Sequence, residues 1–188
     1  MSKNPLAFIA AMPGAIQRGW CGLSVRQRTI LGLALWVLAW QGLLAGLRFM
    51  DNPALSDMQV TMLSGESTNL AALANGKPMV VNLWASWCPP CRREMPVLAT
   101  AQKQETWASF VFANQGENGA TVQRYLSASQ LDLANVLLDR DTKLGFVADS
   151  GMLPATLFYD ASGQLVDTYL GALSAASLEK KLNHLRPH

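Results

Sequence analysis

Nineteen consecutive residues, Thr29 to Leu47, carry no charge, and only Thr29 and Gln41 among them are polar. A membrane-spanning helix needs about 20 mostly apolar residues, each rising 1.5 Å, so the run predicts a single helical span over 29–47. It lacks the polar stripe that a helix packed on the surface of a globular core presents to water. Trp36 and Trp40 within it, and Phe49 just beyond, are ring types that gather near lipid headgroups. The alternative is a cleaved signal peptide, for which Ala39, Gly42, Ala45 and Gly46 supply small residues. Signal peptides have a shorter apolar region, so a retained anchor is the preferred reading.

Charge sets the expected orientation. Residues 1–28 hold Lys3, Arg18, Arg26 and Arg28 and no acid, whereas the chain beyond the run has eleven basic residues against thirteen acidic ones. An excess of Lys and Arg before the span predicts a cytoplasmic N-terminal side, which places the remainder on the far side of the membrane. The expected organisation is therefore a cytoplasmic segment over 1–28, the span, a linker over 48–57 and a folded domain over 58–188. That last stretch has the size of one ordinary domain.

The remaining composition is informative chiefly by exclusion. Half of the 188 residues are hydrophobic and 15% are charged, the opposite of a disordered chain. A net charge of +2 without a basic block gives no sign of nucleic-acid binding. Three cysteines are too few to staple a small disulfide-rich fold.

Within 58–188 apolar runs alternate with helix-like stretches. Strands are predicted over 58–63, 79–84, 110–113, 136–138, 156–159 and 165–170. The second of these, Met79-Val80-Val81-Asn82-Leu83-Trp84, is apolar on both faces except at Asn82, as in a fully buried strand. Helices are predicted over 70–74, from Cys88 to about Thr106 with an interruption at Pro96, and over 121–129 and 142–148. A last helix is expected behind Ser174, a favourable N-cap, with Leu178, Leu182 and Leu185 on one face. Strands alternating with helices imply an α/β sheet covered on both sides.

Chemistry enters where the buried strand meets the long helix. Trp87-Cys88-Pro89-Pro90-Cys91 places two cysteines, two residues apart, at a strand-to-helix junction, near enough to be joined. Free amides and the positive dipole end of the helix favour a thiolate at Cys88. Pro89 suits the first helical turn, where its missing N–H has no partner to lose. Half of a zinc site is the competing reading. It needs another Cys/His pair, and only Cys21, His184 and His188 remain, so no metal is expected.

The stretch Val80 to Pro96, containing Asn82-Leu83-Trp84-Ala85-Ser86-Trp87-Cys88-Pro89-Pro90-Cys91-Arg92-Arg93-Glu94, resembles the signature of membrane-anchored TlpA-like thioredoxins, the group of the ResA and CcmG (DsbE) thiol-disulfide proteins. The resemblance runs from about Val60 through the last helix. It implies a thioredoxin-like fold, a central mixed sheet flanked by helices, with the TlpA-type insertion beginning at Asn114-Gln115-Gly116-Glu117. It implies Cys88 as the nucleophile and Cys91 as the resolving thiol. Leu153-Pro154 would be the loop whose cis-proline faces the pair, and Glu94 the acid three positions beyond the second cysteine. Such an acid raises thiol pKa values or relays protons; a solvated helix face beside Arg92 and Arg93 is the other reading of Glu94. Trp87, Pro89, Pro90, Leu153 and Pro154 would contact substrate.

Two positions depart from the pattern. Asn82 stands where ordinary thioredoxins have a buried acid, so no proton relay passes through it, and Met152 stands where relatives commonly have Gly. The implied activity is thiol–disulfide exchange on exported proteins, needing no cofactor beyond the cysteine pair, with a DsbD-type membrane electron donor as partner. The implied direction is reduction, in cytochrome c maturation or general redox homeostasis. An oxidase, a redoxin-type peroxidase and a non-catalytic interaction module are the alternatives.

Overall fold

A computed structural model of the chain describes residues 24–50, 55, 57–149 and 151–186. It divides into two units, residues 1–51 and 52–188, which are described separately. Cys21 and His188 lie outside the described residues, as do 1–23 of the expected cytoplasmic segment and residues 51–54 and 56 of the expected linker.

Among the described residues of the first unit, one helix, α1, runs Val25–Met50. It starts behind Ser24, whose backbone N–H and hydroxyl both donate to Gln27 Oε1 (2.9 and 3.1 Å). Ile30, Leu33, Leu35, Trp36, Leu38, Trp40 and Leu43 are all exposed, and Trp36 stacks on Trp40 with ring centroids 5.5 Å apart. Among the described residues no helix is long and apolar enough to cross a membrane. The side chains of residues 44–50, which include the end of the expected span, lie outside them.

The second unit begins with a small antiparallel hairpin, β1 (Gln59–Thr61) and β2 (Ser67–Asn69). Sequence reading finds the first strand but misses β2, because Ser67-Thr68-Asn69 has no apolar side chain to set a period. Asn69 also caps the next element, α2 (Leu70–Ala74), its Oδ1 accepting the Ala72 N–H at 2.8 Å. Leu55, expected in the linker, is instead buried, and its carbonyl accepts the Ala71 N–H.

The central sheet has the strand order β5-β4-β3-β6-β7. Its middle strand is β3 (Met79–Trp84), buried at all six positions, as its unbroken apolar run predicts. Helix α3 (Pro89–Gln104) carries the chain over to β4 (Ser109–Gln115), parallel to β3; such a parallel return needs a crossover of this kind. Helix α4 (Gly119–Ala128) then leads to β5 (Val136–Asp139), parallel to β4. After α5 (Lys143–Val147), β6 (Ala155–Tyr159) pairs antiparallel with the other edge of β3, placing Thr156 beside Asn82. The hairpin partner β7 (Leu165–Leu170) completes the sheet, and α6 (Ala175–Leu185) closes the chain behind an N-cap at Ser174. This is the mixed α/β sheet flanked by helices that was expected. Pro96 lies inside α3 without dividing it into two helices.

Alternation along the strands sorts the core into two layers. Val80, Trp84, Phe110, Phe112, Val136 and Phe158 face α3, α4 and α6, where Leu98, Val122 and Leu178 meet them. Met79, Val81, Leu83, Val111, Leu137 and Leu157 face α2 and α5, against Leu70 and Leu144.

Candidate functional site: a cysteine pair backed by a buried carboxyl

β3 ends at Trp84, and a tight turn, Ala85-Ser86-Trp87-Cys88, delivers the chain to α3. The turn is closed by the Cys88 N–H donating to the Ala85 carbonyl at 3.2 Å. Cys88 is the N-cap of α3, with Pro89 and Pro90 in its first turn. The Cys91 N–H donates to Cys88 Sγ at 3.3 Å, so a free amide of the helix start points at that sulfur, an arrangement that stabilises a thiolate. Cys88 and Cys91 are joined as a disulfide with Cα atoms 5.3 Å apart. Both are buried, Cys91 completely.

Glu94 lies one turn beyond Cys91 on the same helix and is 1% exposed. The reading as a solvated helix residue beside Arg92 and Arg93 is therefore overturned: those two arginines are exposed and Glu94 points inward. Its Oε1 accepts from Asn82 Nδ2 at 2.8 Å and its Oε2 from the Leu173 backbone N–H at 2.7 Å. Burial, which penalises the charged form, is the largest influence and pushes its pKa from 4.5 up to about 7; the Leu173 and Asn82 hydrogen bonds oppose it in part. Asn82 Nδ2 also donates to Thr156 Oγ1 at 3.1 Å. Asn82 does not itself ionise, but it is a direct hydrogen-bond partner of the group that does.

The other expected residues surround the pair. Trp87 is 67% exposed, Pro89 is exposed and Pro90 half-buried. The Leu153–Pro154 peptide bond is cis. Pro154 is buried, with its carbonyl accepting the Gly171 N–H at 2.9 Å. Leu153 packs against the cluster that holds both cysteines, and with Trp87 it lines a cleft of about 720 Å³ whose far wall includes Phe146 and Gly116. Met152, next in the chain to Leu153, is exposed. Trp84, by contrast, is core, its ring 5.4 Å from that of Tyr125. His184 is exposed with Nδ1 2.7 Å from the Lys180 carbonyl. Among the described residues no group of three or more His, Cys, Asp or Glu is placed to hold a metal ion.

Sequence reading missed a second acidic residue at the site. Glu117 Oε2 accepts the Ser86 N–H and Asn114 Nδ2, both at 2.7 Å, and Oε1 accepts the Ser86 hydroxyl at 2.6 Å. Burial alone would raise its pKa, but the hydrogen bonds from Asn114 and Ser86 outweigh it and hold the carboxyl below its usual value. An acid just past the carboxyl end of a central strand, where α/β sheets place their sites, was the available signal.

A dithiol pair at the head of a helix, beside a cis-proline loop and on a mixed five-stranded sheet, defines a thioredoxin-fold redox protein. The Redoxin family model matches residues 51–182, and the chain belongs to that family as a TlpA-like thiol-disulfide oxidoreductase. It is 31% identical over 133 residues to the thioredoxin-like protein YneN of Bacillus subtilis, covering 68% of this chain and 75% of that one. Against the thiol-disulfide oxidoreductase ResA of Halalkalibacterium halodurans it is 30% identical over 129 residues, 66% and 71% of the two chains. Among solved structures, MTB DsbF superposes with a TM-score of 0.64 at 25% identity, over 71% of this chain and 98% of that one. A secreted Mycobacterium tuberculosis disulfide oxidoreductase homologous to E. coli DsbE gives 0.59 at 28% identity, over 68% and 96%.

Proposed function

We propose that the chain is a protein-disulfide reductase of exported proteins, held at the inner membrane by residues 29–47 with its N-terminal side in the cytoplasm and its redox domain in the periplasm. The observation that carries the redox chemistry is the Cys88–Cys91 pair at the start of α3 with the Glu94 carboxyl buried one turn behind it. In the reduced protein the Cys88 thiolate attacks a partner disulfide. A bond forms between Cys88 Sγ and one partner sulfur, the partner's own S–S bond breaks, and its second sulfur leaves as a thiolate. Cys91 then attacks Cys88 Sγ, closing the disulfide and releasing the other partner thiolate, so two electrons pass to the partner. The buried Cys91 thiol must lose its proton to attack, and a carboxyl poised near neutrality is the group to take it.

The substrate approaches over Trp87, Pro89 and Pro90 on one side and Leu153-Pro154 on the other. A DsbD-type membrane donor returns the electrons, and proteins that must present free cysteines, such as apocytochromes c before haem attachment, are the substrate class. The pair itself carries the electrons, with no further cofactor.

Three measurements test the reading. A reduction potential near the roughly −270 mV of thioredoxin is expected, and one near the roughly −120 mV of DsbA would replace the reductase with an oxidase. The Cys91→Ala protein is expected to accumulate mixed disulfides through Cys88, and adducts formed instead by Cys88→Ala would reverse the two roles. For the anchor, alkaline washing of membranes is expected to leave the full chain behind; a soluble form starting beyond residue 45 would show a cleaved signal.

A further inference from the structure

Beyond the cysteines and Glu94, one group grips the segment that presents the nucleophile. The two central residues of the Ala85–Cys88 turn are Ser86 and Trp87, and the turn's own closure is a single hydrogen bond. Ser86 makes no use of its donors within the turn: its N–H and its hydroxyl both go to Glu117, at 2.7 and 2.6 Å. Glu117 stands outside the β3–α3 unit, just past β4. Gly116, at φ +77°, lets the chain bend sharply there, in a backbone region that side-chain-bearing residues rarely adopt. Asn114, the last residue of β4 to pair with β3, donates its side-chain amide to the same carboxylate at 2.7 Å. A rigid strand end thus aims a carboxylate at the turn; two charge-assisted hydrogen bonds from Ser86 hold the two together, and a third, from Asn114, steadies the carboxylate.

We propose that Glu117 is a positioning residue for the thiol site: with Asn114 it clamps Ser86, and so fixes the turn that seats Cys88 at the head of α3 and holds Trp87 out toward a partner protein. This rests on the reductase reading for its activity readout, though not for its effect on the thiol. Without the clamp, Ser86 has only water for its two donors and the turn has one internal bond. Cys88 then spends less time against the Cys91 amide, the thiolate loses stabilisation, and attack slows.

The side-chain chemistry supplies the control. In Glu117→Gln the remaining carbonyl oxygen can still accept from Ser86 N–H and Asn114, while the new amide donates to Ser86 Oγ, which turns to accept. In Glu117→Ala all three bonds are lost. The experiment measures, on the full chain in detergent, the Cys88 thiol pKa by ultraviolet thiolate absorbance and the rate of insulin reduction with dithiothreitol as electron source. Glu117→Ala is expected to raise the thiol pKa and slow insulin reduction about tenfold or more, the scale that misplacement of a reacting group costs. Glu117→Gln is expected to recover both to within about threefold of the parent. Glu117→Ala with an unchanged thiol pKa and rate overturns the proposal. So does Glu117→Gln as impaired as Glu117→Ala, or a thiol pKa that falls in both, since charge rather than position would then be at work. If the parent itself fails to reduce insulin, the reductase reading fails while the thiol pKa series still tests the clamp. Should Glu117→Ala not fold, Ser86→Ala, which keeps the backbone bond and loses only the hydroxyl, is expected to give a smaller shift in the same direction, and no shift overturns the proposal.

Discussion

The two faces of the central sheet are built from the same five strands and serve opposite ends. The face toward α2 and α5 is filled by Leu70, Met79, Val81, Leu83, Val111, Leu137 and Leu157. The Tyr159 hydroxyl, buried on this side, has no hydrogen-bond partner among the described residues. The face toward α3, α4 and α6 has an equally dry core of Trp84, Met95, Leu98, Phe112 and Phe158, yet it also encloses the cysteine pair, Glu94, Asn82 and Thr156. The difference teaches where a fold of this kind places its cost. A carboxyl is tolerated inside only because Asn82 and Leu173 donate to it, and even then burial keeps its proton bound to about pH 7. The face toward α2 and α5 holds no buried carboxyl and acts as foundation.

The largest effect that separates the faces is on chemistry. Cys88→Ala is expected to abolish reduction of insulin disulfides by dithiothreitol through this protein, with the melting temperature of the reduced forms little changed. Residual exchange above the uncatalysed rate would mean that the reactive sulfur is not Cys88. Next in size is stability on the foundation side. Leu157→Ala empties a fully buried site and is expected to cost about 2–5 kcal/mol in denaturant unfolding, with the reduction potential of the pair unmoved. A shifted potential would show that the faces are coupled through β6.

Glu94→Gln sharpens the comparison through pH. The folded value of about 7 lies above the ordinary 4.5, so between those limits the folded protein holds a proton that the unfolded chain has released. Stability from this group is therefore full below about pH 4.5, falls as pH rises toward 7, and is flat above. The total is on the order of 3 kcal/mol at 1.36 kcal/mol per pH unit. The glutamine variant is expected to lose that slope, and to slow closure of the disulfide from the mixed intermediate. A slope that survives would assign the pH dependence to another group. The smallest effect belongs to Tyr159→Phe, which removes an unpaired buried hydroxyl and is expected to change stability by less than about 1 kcal/mol, in the stabilising direction. A loss larger than that would reveal a partner for the hydroxyl.

The core strands were legible from the sequence because their signal is local. Met79–Trp84 is apolar at nearly every position, and the hairpin strand Leu165–Leu170 and the Ser174 cap are found where sequence reading puts them. β2 was illegible for the converse reason: three polar residues form a strand only because β1 lies beside them. At the site, Trp87-Cys88-Pro89-Pro90-Cys91 announced itself by spacing. Glu117 did not, since 31 residues separate it from the Ser86 it holds.

By itself, then, the sequence determined the elements and the chemistry: a long charge-free run, a buried strand, and two cysteines at the head of a helix, each specified by residues adjacent in the chain. Tertiary structure decided which of two similar-looking acids lie at the pair and in what state. Glu94 directly follows two exposed arginines in sequence, and only the packing of α3 on β3, with Leu173 brought across from the end of β7, turns it inward and keeps its proton bound to about pH 7. Glu117, on an exposed loop in sequence, is ionised because Asn114 and Ser86 converge on it. The physical reason is the same in both cases: a carboxyl's charge is set by desolvation and by the donors around it, and neither exists until distant segments meet.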